Sequence, residues 1–257
     1  MRAVNWTRVV ATGALLVLLS GCISVQAIRE SEGYRSMAIA HLSEGDTAGA
    51  ITNARKATRK NKWDSEAWHT LGLAYFATDL YPDAEAAFLK ALKLRSDYSQ
   101  ARLNLGGLYL EMERWDDAIK NLELVVADPE YRQPARALHN LGWAHFNRGD
   151  YKAARVSFTK VLRDFRGFCP ALLNLGLVDE AEGKISDALG RYKQALQCDE
   201  GDLKARFNLG VAEARLDMVA DACEHLSTVA NADPYGEFHE RATEYLTMLD
   251  CEQLSKL

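Results

Sequence analysis

A Leu-Gly pair recurs through this chain at nearly constant spacing, and that recurrence limits the fold more than any other feature. The pairs are Leu71-Gly72, Leu105-Gly106, Leu141-Gly142, Leu175-Gly176 and Leu209-Gly210. The numbers of successive glycines differ by 34, 36, 34 and 34. A period of that length marks an array of one supersecondary unit, stacked so that each copy buries the apolar face of the next. The fold class expected is therefore all-α, with a core continuous along the array. Composition agrees: 48% of the 257 residues are apolar, 26% are charged and only five are proline. That is a globular, helix-favouring balance.

Taking the residue seven before each glycine as position 1 starts repeats at 31, 65, 99, 135, 169 and 203, with a last helix from about 237. The repeat from 65 carries Trp68, Leu71, Gly72, Tyr75, Ala84, Phe88 and Ala91. Those side chains, at positions 4, 7, 8, 11, 20, 24 and 27, resemble the tetratricopeptide repeat, a helix–turn–helix unit of about 34 residues. The resemblance implies a right-handed superhelical array of six repeats over 31–236. The repeat from 31 is degenerate. Asp179 and Glu213 stand where the pattern has an aromatic residue. Small residues at 8, 20 and 27 let paired helices approach, while larger ones fill the space between repeats. Two prolines in Asp128–Pro134 imply a longer loop there. Phe238, Ala242, Tyr245, Leu246 and Leu249 recur at helical spacing, so 237–257 reads as a capping helix.

The N-terminal segment 1–21 reads as a targeting signal. Arg2 and Arg8 precede an apolar run, Val9 to Leu19, that is too short to span a bilayer. Leu19, Ser20, Gly21 and Cys22 resemble the lipobox of bacterial lipoproteins. That resemblance implies cleavage before Cys22 and a diacylglycerol on its thiol, with palmitate-type acyl chains. The segment 22–30 then forms a lipidated tether. Ile23 in place of an aspartate favours the outer membrane, facing the periplasm. Loss of Arg2 and Arg8 takes the formal charge from −5 to −7. An acidic chain without a Lys/Arg tract is a poor candidate for nucleic acid.

Four cysteines remain after Cys22, an even number suited to an oxidising compartment. Sequence alone allows three pairings. The register brings Cys169, at the start of one helix, towards Cys198, at the end of its antiparallel partner. It does the same for Cys223 and Cys251. No CxxC occurs, and His225 and His239 form no ligand set with these thiols, so no metal and no cofactor are expected.

No GxSxG, HExxH, P-loop or GxGxxG is present, and the carboxylates fall on helix surfaces and in turns, so the chain does not read as an enzyme. In the tetratricopeptide pattern, positions 2, 5, 6, 9, 12 and 13 of each first helix face a concave groove. Position 6 reads Ser36, Thr70, Asn104, Asn140, Asn174 and Asn208. An asparagine ladder offers both donor and acceptor to a peptide backbone. Ile39, Leu42, Leu73, Phe76, Leu110, Trp143, Phe146, Leu177 and Val211 add an apolar stripe, with Leu103 and Phe207 at position 5. Such a stripe marks an interaction face.

A lipobox followed directly by about six tetratricopeptide repeats resembles the type IV pilus pilotins, the PilF, PilW and Tgl group. The resemblance implies a monomeric adaptor that binds the secretin subunit in its groove and promotes secretin assembly in the outer membrane. Ile39, Leu42, Leu73 and Phe76, nearest the anchor, are the first contacts to expect. The alternative is an outer-membrane scaffold for peptidoglycan enzymes or for another envelope machine.

Overall fold

The computed structural model describes residues 24–165 and 167–251; Cys22 and the lipobox lie outside them. Thirteen α-helices run through the described residues, and none is long and apolar enough to cross a membrane. They alternate as first and second helices of successive hairpins. The order is α1 (Val25–Ser43), α2 (Thr47–Lys60), α3 (Ser65–Phe76), α4 (Tyr81–Leu94), α5 (Ser99–Glu111), α6 (Trp115–Val126) and α7 (Pro134–Asn147). There follow α8 (Tyr151–Asp164), α9 (Pro170–Ala181), α10 (Ile185–Cys198), α11 (Leu203–Arg215), α12 (Val219–Ala232) and α13 (Glu237–Met248). Two compact units divide the chain, the first ending at Leu108 within α5. In the first, α1 packs on α2 and α3, and α3 on α4. In the second, α7–α8, α9–α10 and α11–α12 form hairpins, and α13 closes against α12 and α11.

Local chemistry places the helix ends. Asp46, Asp64, Asp150 and Asp202 cap helices by accepting backbone N–H groups of the first turn. Pro82, Pro134 and Pro170 sit in first turns, where no N–H is missed. Position 15, in the turn between the two helices, takes a positive φ in every repeat. Gly45, Gly149 and Gly183 supply it without cost, whereas Asp79, Glu113 and Asp217 adopt it despite their side chains.

In four hairpins the glycine at position 8 meets the large residue at position 24. A Cβ on Gly72 would lie 2.6 Å from the Phe88 ring, and one on Gly142 2.6 Å from Phe158. On Gly176 it would meet Tyr192 at 2.3 Å and on Gly210 Leu226 at 2.8 Å. Phe88, Phe158, Tyr192 and Leu226 are all fully buried, each contributing about 1.5–3 kcal/mol of apolar burial.

Within the segment 22–30, expected as a lipidated tether, α1 begins at Val25. The Ser24 hydroxyl caps it by accepting from the Ala27 N–H, and Gln26 donates to Glu30 one turn on. One expectation is corrected: the carboxylates do not all lie on the surface. Asp179 and Glu213, at the position taken by Tyr75 and Tyr109 in two earlier repeats, are 2% and 1% exposed. Asp179 is held by Arg155 at 2.7 Å, and Glu213 by His225 at 2.7 Å. Tyr75 shows what they replace: its hydroxyl accepts from Arg55. Each acid, like the Tyr75 phenol, is held by a nitrogen of a neighbouring side chain.

Candidate binding surface

First helices carry the candidate surface, and within each unit its polar row is more committed than a free ladder. Asn104 donates through Nδ2 to His69 Nε2 at 2.7 Å, across one repeat boundary. The other nitrogen of His69 meets the Tyr98 hydroxyl at 3.1 Å, and the ring tilts against Phe88. In the second unit the set recurs, two repeats further along the chain. Asn174 donates to His139 Nε2 at 2.7 Å, and the His139 ring packs on Phe158 and Phe168. Burial pushes His69 down to about 4 and His139 below its ordinary value. Both are therefore neutral and free to accept from asparagine. These clasps join one repeat to the next, so Asn104 and Asn174 are structural donors, and Asn174 is buried. The recurrence of histidine at position 5, as His69 and again as His139, was the available signal for them.

Asn140 and Asn208 differ, because position 5 of the preceding repeat is leucine (Leu103 and Leu173) rather than histidine. Asn208 is half-buried, and its Nδ2 is enclosed with no hydrogen-bond partner among the described atoms. It lines a concavity of about 470 Å³ with Phe146, Leu177, Val211, Arg241 and Tyr245. Arg241 lies over the Phe207 ring at 4.5 Å.

The apolar residues divide by position. In the first unit Ile39 is half-exposed, and Leu42, Leu73 and Phe76 are partly open, with Phe76 edge-on to Tyr81. In the second, Leu110, Trp143, Phe146 and Leu177 are partly open; Trp143 and Phe146 stack at 5.4 Å, and Lys204 lies over Trp143. Leu103 and Phe207, expected in the groove, are 2% and 1% exposed. Position 5 points into the packing between repeats, where a large apolar side chain is buried, although Phe207 still edges the concavity that Asn208 lines.

Disulfides join Cys169 to Cys198 and Cys223 to Cys251, each tying the ends of two antiparallel helices in the second unit. No group of three or more metal-ligating side chains converges among the described residues. His225 is engaged with Glu213, and His239 with the Ala230 carbonyl.

A Lys/Arg tract does exist, contrary to the expectation from the sequence. Arg55, Lys56, Arg59, Lys60 and Lys62 crowd the end of α2, and the exposed Trp63 follows them. Helical phase hides the run, since the buried Ala57 and Thr58 interrupt it.

Comparison with known proteins converges on this architecture. Murine Superkiller complex protein 3 is 27% identical over 190 residues, 74% of this chain, which spans only a tenth of that protein's length. PilF of Pseudomonas aeruginosa superposes with a TM-score of 0.73 at 19% identity, covering 86% of this chain and 99% of its own. PilW, described as a widely conserved type IV pilus biogenesis factor, superposes at 0.77 with 20% identity, covering 83% and 98%. At these identities the two structures speak for the fold. Tetratricopeptide-repeat models match residues 35–99, 97–166 and 173–237, so the register read from the glycines, the hairpins and the family agree. This chain belongs to the tetratricopeptide-repeat family, whose members are generally scaffolds for protein interaction.

Proposed function

We propose that this protein is a pilotin-like adaptor, held to the outer membrane through Cys22 and facing the periplasm, that binds the type IV pilus secretin subunit and promotes its assembly. The observation that carries this reading is coverage. PilF and PilW are matched over 99% and 98% of their chains and themselves cover 86% and 83% of this one. A tetratricopeptide array shared only in part would support a generic scaffold. The lipobox supplies the address. The partly open Ile39, Leu42, Leu73 and Phe76, on the helices nearest it, supply an apolar face for the client. An apolar segment laid on such a face is hidden from water until assembly.

The test is deletion of the protein, followed by detection of heat-resistant secretin multimers in outer-membrane fractions. The multimers should be lost and monomeric secretin should accumulate. Normal multimers without the protein would defeat the reading. Normal multimers together with capture of a peptidoglycan enzyme would favour the envelope-scaffold alternative.

A further inference from the structure

We infer that the basic, tryptophan-tipped end of the first unit lies on an anionic bilayer surface and orients the array on its membrane. The inference rests on Cys22 being the anchor, and its parts come from one end of one hairpin. α1 and α2 are antiparallel: Glu30 pairs with Lys60, and the Ser31 hydroxyl donates to the Ala57 carbonyl. The start of α1 and the end of α2 therefore share an end of the unit. Cys22 precedes Val25 by three residues, which covalent geometry limits to about 10 Å even fully extended. Whatever holds Cys22 must be close to this end.

That end is built unlike the rest of an acidic chain. Lys62 and Lys90 approach the Trp63 ring at 5.2 and 6.0 Å. Arg59 and Lys60 complete the rim, and only Lys60 has a carboxylate partner, Glu30, among the described contacts. Trp63 is 58% exposed. Val25 is 66% exposed on the first turn of α1. Tryptophan favours the headgroup layer, where an apolar body and a polar N–H are both accommodated. Clustered lysine and arginine beside an anchor are drawn to anionic lipid, and a lipid anchor with a basic patch holds more firmly than the lipid alone. Acidic protein would satisfy the charge but gives no reason for the placement beside Cys22.

The test uses the full acylated chain on vesicles of mixed phosphatidylglycerol and phosphatidylethanolamine, or of phosphatidylcholine alone. Both carry lipids brominated near the headgroup. The Trp63 signal is isolated by comparison with Trp63→Phe. The expected result is quenching of Trp63 on anionic vesicles, weakened by high salt and lost in Arg59→Glu/Lys62→Glu/Lys90→Glu. The milder Lys62→Gln/Lys90→Gln variant should reduce it, and charge reversal at Lys152 and Lys160 should leave it unchanged. Trp63 unquenched on anionic vesicles, or quenched equally on neutral ones and in the charge-reversed variant, would overturn the inference. Intact mass reports acylation separately. An unacylated chain whose Trp63 is still quenched keeps the basic rim and removes the anchor. An acylated chain with unquenched Trp63 does the reverse.

Discussion

At the scale of single residues, glycine has opposite meanings at different places in this chain. Gly142 sits against Phe158, and the helix preference for alanine is overridden there by collision with a buried ring. Gly142→Ala should destabilise by about 1–2 kcal/mol. Gly33→Ala, where an added Cβ meets nothing within 4 Å, should stabilise by up to about 1 kcal/mol. Denaturant midpoints of the two variants check the contrast. Glu113 holds a positive φ at the turn position that other repeats give to glycine. Glu113→Gly should gain about 1 kcal/mol in the same assay. Residue identity at positions 8, 24 and 27 was legible in the sequence because it serves contacts inside one hairpin, where spacing alone sets the geometry. The inward turn of Leu103 and Phe207 was not, because position 5 faces whatever the neighbouring repeat supplies.

At the scale of helices, the contacts between repeats decide the behaviour. His69 is neutral in its clasp, held down to about 4 by burial, whereas it titrates near 6.5 in the unfolded chain. Between those values the unfolded state carries a proton that the folded state does not. The contribution of His69 to stability is thus constant above about pH 6.5 and falls as pH drops towards 4, by on the order of 3 kcal/mol. His139, shifted in the same direction, adds to the slope. Urea titrations across this range should show the loss, and His69→Gln should flatten it. Arg155 on α8 offers a second case, since it neutralises the buried Asp179 on α9. Arg155→Met should cost about 3 kcal/mol by leaving that carboxylate only the more distant Arg191, at 3.8 Å. Arg163→Met, which breaks an exposed pair with Asp164, should cost under about 0.5 kcal/mol. The helix boundaries were readable from capping aspartates and prolines. The clasps were not, because each joins side chains from neighbouring repeats, and the residue at position 5 changes from one repeat to the next.

At the scale of the molecule, reinforcement is uneven. Both disulfides lie in the second unit, and each closes a loop of about 30 residues, worth roughly 3–4 kcal/mol in the chain-entropy model. Reduction should speed hydrogen exchange in α9–α13 and leave α1–α4 unchanged. The repeat number and the capping helix followed from the period. The basic rim did not, because Lys90 on α4 joins Lys62 at the Trp63 ring only when the hairpins pack. The client-binding face proposed on α1 and α3 belongs to the unreinforced unit next to Cys22. Its most direct test is binding of purified secretin subunit to the wild-type protein and to a Leu73→Glu/Phe76→Glu variant. Both side chains are only partly buried, so the variant should keep its helical circular dichroism and lose the secretin. A folded variant that binds secretin as tightly as the wild type would contradict the account.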